Sequence, residues 1–365
     1  MSIAWFIVIT FVIVTLHIYI YHRWGLARID YDRSFSEKSV FEGEDIEMID
    51  EISNKKILPL PWLRLESSMN EHLVFKQQSK YDNTVDHGSF HRTLFSLMPY
   101  QKIRRRQSLT CAKRGLYHFK TVALSTGDVF GFSESFNDFS SPAEIVVYPR
   151  LMELDDIPLP VHSWMGDITV KRWIMEDPFL KSGIREYAFG DPMNEVNWKA
   201  TARTNRLQVN KNEYTADHDL MIYVNFNQTG DVWRPISDEG LMEKALSYAA
   251  TIAEHCVANG IQTGFGCNGY RIDDSGAQSI RIEPENSKQQ LTYIFETMAR
   301  LKIDSKESIH TFLDEDIDNL REGTDILLIT AIMTDEIREK IEKLESLGNA
   351  VEVLVLESDA EKAGA

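Results

Sequence analysis

The sequence predicts an α+β multidomain protein: an N-terminal transmembrane helix, a β-sandwich-like domain, and an α/β domain with a mostly parallel sheet. Three observations predict it. Ile3–Tyr21 contains no Asp, Glu, Lys or Arg. From Asp30 to Arg150, short apolar-alternating runs are separated by turn residues, without long helical periodicity. From Asp219, compact apolar runs alternate with amphipathic helical patterns, as strands and crossover helices do in a doubly wound sheet.

The first element is IAWFIVITFVIVTLHIYIY, Ile3–Tyr21. At about 1.5 Å per residue it forms a helix of roughly 28 Å, near the thickness of bilayer hydrocarbon. Trp5 marks one end, and Tyr19, Tyr21 and Trp24 gather at the other, as interfacial aromatics do. No basic residue precedes the run and no small-residue cleavage pattern follows it, which favours an uncleaved anchor over a secretory leader. Arg23, Arg28 and Arg33 follow the helix, so the positive-inside rule places the N-terminus outside and the body in the cytoplasm of a single-pass membrane protein.

The β-rich domain, residues 30–150, reads from alternating segments such as Asp45–Asp50, Leu63–Glu66, Tyr117–Val122 and Glu144–Tyr148. Turn pairs Glu42-Gly43, Arg114-Gly115 and Gly127-Asp128 separate them. The basic run Lys102–Arg106 is read as a solvated strand or turn face, with anionic headgroups as the competing reading. Residues 151–218 are a transition segment. There Gly190 permits a turn, Asp191 suits a helix cap and Pro192 the first helical position. A short helix carrying an anchored Trp198 and Arg203 follows, with Asp191 and Glu195 as candidate partners for Arg185 and Arg203. Leu207 and Val209 then form the inner face of a strand.

The α/β domain, residues 219–357, is predicted from strands at Leu220–Val224, Ile261–Cys267, Ser279–Glu283, Asp325–Ile332 and Val351–Val355. Helices span Ser237–Asn259, Ser287–Leu301 and Thr334–Leu347, with Ser287 and Thr334 as caps. Residues 358–365 read as a tail.

Composition limits the function. The 365 residues carry 39 Lys plus Arg against 56 Asp plus Glu, a net charge of -17, which disfavours nucleic acid as a partner. The 3 cysteines, Cys111, Cys256 and Cys267, lack metal-ligand spacing and are too few for a disulfide framework. His255 and Cys256 are helix neighbours that do not face each other, and Cys256 lies on the apolar stripe. Gly264-Phe-Gly266-Cys-Asn-Gly269 superficially matches a dinucleotide fingerprint, but no helix opens from its last glycine.

The run Arg185–Arg206, REYAFGDPMNEVNWKATARTNR, supplies Arg185, Tyr187, Gly190, Asp191, Trp198, Lys199, Thr201, Arg203 and Arg206 at fixed spacing. With Arg114-Gly115-x-Tyr117, Gly127-Asp128-x-Phe130-Gly131 and Val147-Tyr148-Pro149 upstream, this resembles the bacterial domain of unknown function 58 family over nearly the whole chain after the anchor. The resemblance implies a von Willebrand factor A-like fold for the C-terminal part, membrane anchoring, and a MoxR-type AAA+ ATPase as partner in assembly or maturation of a membrane or cell-envelope complex. It implies no defined reaction.

Such α/β domains often bear D-x-S-x-S after the first strand to hold a divalent cation. The matching place here reads Asn225-Phe-Asn227-Gln-Thr229. Without the carboxylate a hard cation has little reason to give up its water, so no cofactor or metal is expected. A protein-interaction module is therefore the favoured reading. The alternative is a metal-dependent hydrolase or transferase using Asp231, Asp273 and Asp274.

Overall fold

The computed structural model describes residues 3–76, 90–158, 177–188, 196–213, 219–229, 236–273, 278–319 and 324–356. The chain divides into two compact units, Met1–Tyr148 and Pro149–Ala365.

The first unit begins with α1, Ile3–Trp24. Its stretch Trp5–Trp24 is long and apolar enough to cross a membrane, and almost none of it is buried in protein. Phe6, Phe11 and Leu16 all project outward. Two sheets follow. One is ordered β1-β3-β7-β5, from Ile29–Phe35, Asp45–Asn54, Lys102–Cys111 and Leu73–Phe75. The other is ordered β2-β9-β8-β4-β6, from Ser39–Phe41, Glu134–Tyr148, Gly115–Gly127, Leu60–Ser68 and Phe90–Leu97.

The two sheets share their cores. Ile46, Met48 and Leu109 of the first pack with Val40, Phe119, Ile145 and Val147 of the second. A second cluster joins Ile29, Tyr31 and Ile52 to Leu60, Leu63, Leu65 and Leu124. Alternation along β1 (Tyr31 and Arg33 inward, Asp30 and Asp32 outward) is what a half-buried strand requires. Arg33 is fully inside, with Nε donating to Asp50 Oδ1 at 2.8 Å and Tyr31 donating to the same oxygen at 2.6 Å. The basic run on β7 faces acids across the ladder: Lys102 and Arg104 pair with Glu51, and Arg106 with Glu47. It is a paired strand face.

The second unit carries an antiparallel pair, β10 (Asp177–Glu186) with β11 (Gln208–Glu213), joined through α2 (Trp198–Thr204). Asn197 caps α2, its side chain accepting from Ala200 N at 3.0 Å. The expected Asp191 and Pro192 start lies outside the described residues.

The larger sheet is ordered β15-β13-β12-β17-β18, from Ile280–Glu285, Thr263–Cys267, Asp219–Val224, Thr324–Thr330 and Val351–Val355. β12 pairs in parallel with β13 and β17, and β17 with β18; the edge strand β15 runs antiparallel to β13. A short ribbon pairs β14 (Tyr270–Arg271) with β16 (Leu301–Lys302). The helices are α3 (Glu239–Ala258), α4 (Lys288–Arg300), α5 (Ile309–Asn319) and α6 (Asp335–Ser346). Ser287 and Thr334 cap α4 and α6, accepting from Gln290 N and Ile337 N.

Central strands buried on both faces explain their continuous apolar runs. The glycines of β13 are a packing requirement. A Cβ on Gly266 would stand 2.7 Å from the Tyr223 ring, so no side chain fits there.

Candidate functional site

The C-terminal ends of parallel strands are where open α/β sheets place their ligand crevice. In this chain β12 ends into Asn225 and Asn227, β13 into Asn268, and β17 at Thr330. All four side chains are buried. Burial forces polar groups to find partners, and here they find one another.

The Asn268 carboxamide is the centre. Its Nδ2 donates to Asn227 Oδ1 at 2.6 Å, to Asn225 Oδ1 at 3.2 Å and to Glu307 O at 3.0 Å. Its Oδ1 accepts from Phe226 N at 2.8 Å. Asn225 Nδ2 donates to Thr330 Oγ1 at 2.9 Å, and Asn227 Nδ2 to Ser305 Oγ at 3.1 Å. Asn227 Oδ1 also accepts from Ile309 N at 3.1 Å, capping the first turn of α5. Gln228 fixes the next loop, its Oε1 accepting from Ser237 N and Asp238 N. Three neutral amides thus tie the ends of β12, β13 and β17 to the start of α5.

Those residues do not fit a divalent cation. The two side-chain oxygens that would face it, on Asn225 and Asn227, are both engaged by the Asn268 amide. No carboxylate stands among them to offset the cost of stripping water from a hard ion. Among the described residues no group of three His, Cys, Asp or Glu side chains is placed to hold a metal. Thr229 is partly exposed at the outer end of the loop.

Asp273 is committed elsewhere. Arg271 donates to both its oxygens at 3.0 and 2.9 Å and Arg300 to one at 2.9 Å. These hydrogen bonds, Arg271 first, hold its carboxyl at about 2. Asp231 and Asp274 lie outside the described residues. Burial pushes the Cys256 thiol to about 12 and the Cys111 thiol to about 11, so neither is poised as a nucleophile.

The signature segment is arranged differently from the amide cluster. Arg185 sits opposite Val209 on the β10–β11 pair, with Tyr187 N donating to Leu207 O at 3.0 Å. Thr201 is structural, its Oγ1 accepting from Gln208 N at 3.0 Å. Arg206 pairs with Glu186 at 3.1 Å. Lys199 and Arg203 point to solvent. Trp198 is 63% exposed, not anchored, because it opens a short seven-residue helix whose only buried residue is Ala200. Leu207 is likewise exposed, while Val209 alone faces inward. Gly190, Asp191 and Glu195 lie outside the described residues.

Fold and site together define a two-unit α+β protein whose sheet-edge site is built from amides. Residues 183–362 match the family described as "Protein of unknown function DUF58". Over 363 residues the chain is 20% identical to "Uncharacterized protein YeaD" of Bacillus subtilis, covering 98% of this chain and 84% of that one. Among solved structures, a non-cellulosomal cohesin from Archaeoglobus fulgidus aligns with 32% of this chain and 91% of its own, at 11% identity and a TM-score of 0.23. The CARDB domain of the PF1109 protein from Pyrococcus furiosus aligns with 33% of this chain and 93% of its own, at 14% identity and a TM-score of 0.21. Scores of that size carry no assignment.

Proposed function

We propose that this protein is a membrane-tethered interaction module. Its C-terminal unit is of von Willebrand factor A-like type and binds a partner protein through the loops after β12 and β17, without a metal ion. The partner is a MoxR-type AAA+ ATPase, and the pair serves assembly or maturation of a membrane or cell-envelope complex. The observation that carries this reading is the self-satisfied Asn225–Asn227–Asn268 cluster. It offers no nucleophile, base or cation, yet it rigidly sets the loops at the edge where such sheets meet their ligands. The central place of β12 in the sheet and the apolar length of α1 support it.

The basic residues that follow α1, Arg23, Arg28 and Arg33, support a cytoplasmic body under the positive-inside rule. The test is purification of the full chain from detergent-solubilised membranes, with and without EDTA. The expected result is a co-purifying AAA+ ATPase at equal yield in both. Recovery of the chain alone, or loss of the partner on chelation, overturns the reading.

A further inference from the structure

We propose that the tip of the β8–β9 hairpin, Val129–Phe132, is a wedge that seats in the surface of a phospholipid bilayer beside α1. This rests on reading α1 as a membrane span. Hairpin tips in water favour Gly, Asn, Asp and Ser. This tip holds Val129, Phe130 and Phe132 at 62%, 59% and 70% exposure.

The tip is built to keep them out. Asp128 is fully buried beneath it, accepting from Phe130 N at 3.0 Å, Ser133 N at 2.6 Å and Ser133 Oγ at 3.2 Å. Gly131 takes φ +75, a backbone conformation that side chains resist. A Cβ on Gly127 would stand 2.2 Å from Ser133 O, so the close approach of the chain at the base of the tip requires glycine there. The Asp128 turn therefore fixes the backbone that carries these exposed side chains.

The neighbour of the tip identifies its occupant. The Phe130 ring lies edge-on to His17 at 5.4 Å, and His17 in turn packs on Tyr21 at 4.6 Å. His17 is inside the apolar stretch Trp5–Trp24, seven residues before its end, or about 10 Å along the helix axis. A bilayer that takes α1 to the depth of His17 meets Phe130 at that depth. Apolar side chains on the adjoining loops continue the surface. Tyr100 and Ile57 are 72% and 77% exposed, on segments joined by Tyr100 N donating to Lys56 O. Lys56 donates to Gly25 O just past α1. An apolar patch ringed around the end of a lipid-exposed helix, rich in aromatics, is what a headgroup–acyl boundary selects.

The experiment uses the full chain in vesicles of phosphatidylethanolamine and phosphatidylglycerol. An environment-sensitive fluorophore is attached at Phe132→Cys, at Val129→Cys, at Val12→Cys within α1, and at Ala112→Cys in the turn at the far end of β8. The native cysteines are buried. Lipids with a doxyl group high on the acyl chain report bilayer contact, and iodide reports water. The expected result is about twofold or greater doxyl quenching at positions 132 and 129, from side chains set about 5–10 Å into the boundary, with iodide quenching only at 112. Iodide quenching at 132 and 129, with lipid quenching kept at position 12, overturns the wedge and leaves the anchor. Shielding of 132 and 129 from both quenchers means a protein covers the tip, and also overturns it. Iodide quenching at position 12 removes anchor and wedge together.

Discussion

Asn268→Ala tests whether the amide cluster holds the sheet edge together. The substitution removes four hydrogen bonds, at 2.6, 3.2, 3.0 and 2.8 Å. Asn225 Oδ1 keeps Asn227 N, and Asn227 Oδ1 keeps Ile309 N. Phe226 N and Glu307 O lose the partner they have in Asn268. Each orphaned buried group costs about 1–3 kcal/mol, so the loss is about 2–6 kcal/mol. That is a large share of a stability of about 5–15 kcal/mol. Hydrogen exchange of the full chain in micelles reads it locally, on the peptide spanning β12 and Asn225–Gln228. A loss of 2 kcal/mol lowers its protection by about thirtyfold. A change below about threefold would refute the argument, because the amides would then be decoration on a loop held by other contacts. Asn268→Asp sharpens the test. It keeps the acceptor for Phe226 N but sets a carboxylate against two amide oxygens and a carbonyl. The variant is expected to be destabilised and partly rescued by millimolar Mg²⁺ or Ca²⁺, whereas the parent gains nothing.

Asp50→Asn should cost about 3–5 kcal/mol of unfolding free energy in the first unit, read by urea denaturation, since it strands the buried Arg33; Arg33→Met with Asp50→Leu should recover most of that loss. Lys56 is held at about 8 by burial, below its ordinary 10.5, so the unfolded chain binds the extra proton between those values. The parent should therefore gain stability relative to Lys56→Met as pH rises from about 8 towards 10.5, measured as the difference in melting temperature. Cys111 and Cys256 should resist maleimide in the folded chain and react after denaturation, as mass spectrometry would record.

The central strands were legible because double burial writes them as unbroken apolar runs, Leu220–Val224 among them. The caps Ser287 and Thr334 were legible because capping is local chemistry. Helix α5 escaped notice because its inward stripe of Ile309, Phe312 and Leu313 continues through Asp316, a buried carboxylate bound by Arg281 at 3.0 Å. The site was half legible. Asn225 and Asn227 stand out where a carboxylate and a hydroxyl are usual, but Asn268 meets them only through parallel pairing of β12 with β13, which no local spacing encodes. Trp198 misled because large aromatics are highly buried on average, a tendency that the start of a short surface helix does not obey.

The junction after α1 leaves no slack. Tyr21 donates to Pro59 O at 3.1 Å, Ser135 Oγ to His22 O at 3.2 Å, and the Lys56 ammonium bridges Gly25 O and Ala27 O at 2.5 and 2.9 Å, all before β1 begins at Ile29. A Cβ on Gly25 would stand 2.4 Å from Tyr21 O, so the chain turns there through the tightest available path. These four hydrogen bonds couple helix to sandwich, so a roll or tilt imposed on α1 is passed to the β unit as torque through them.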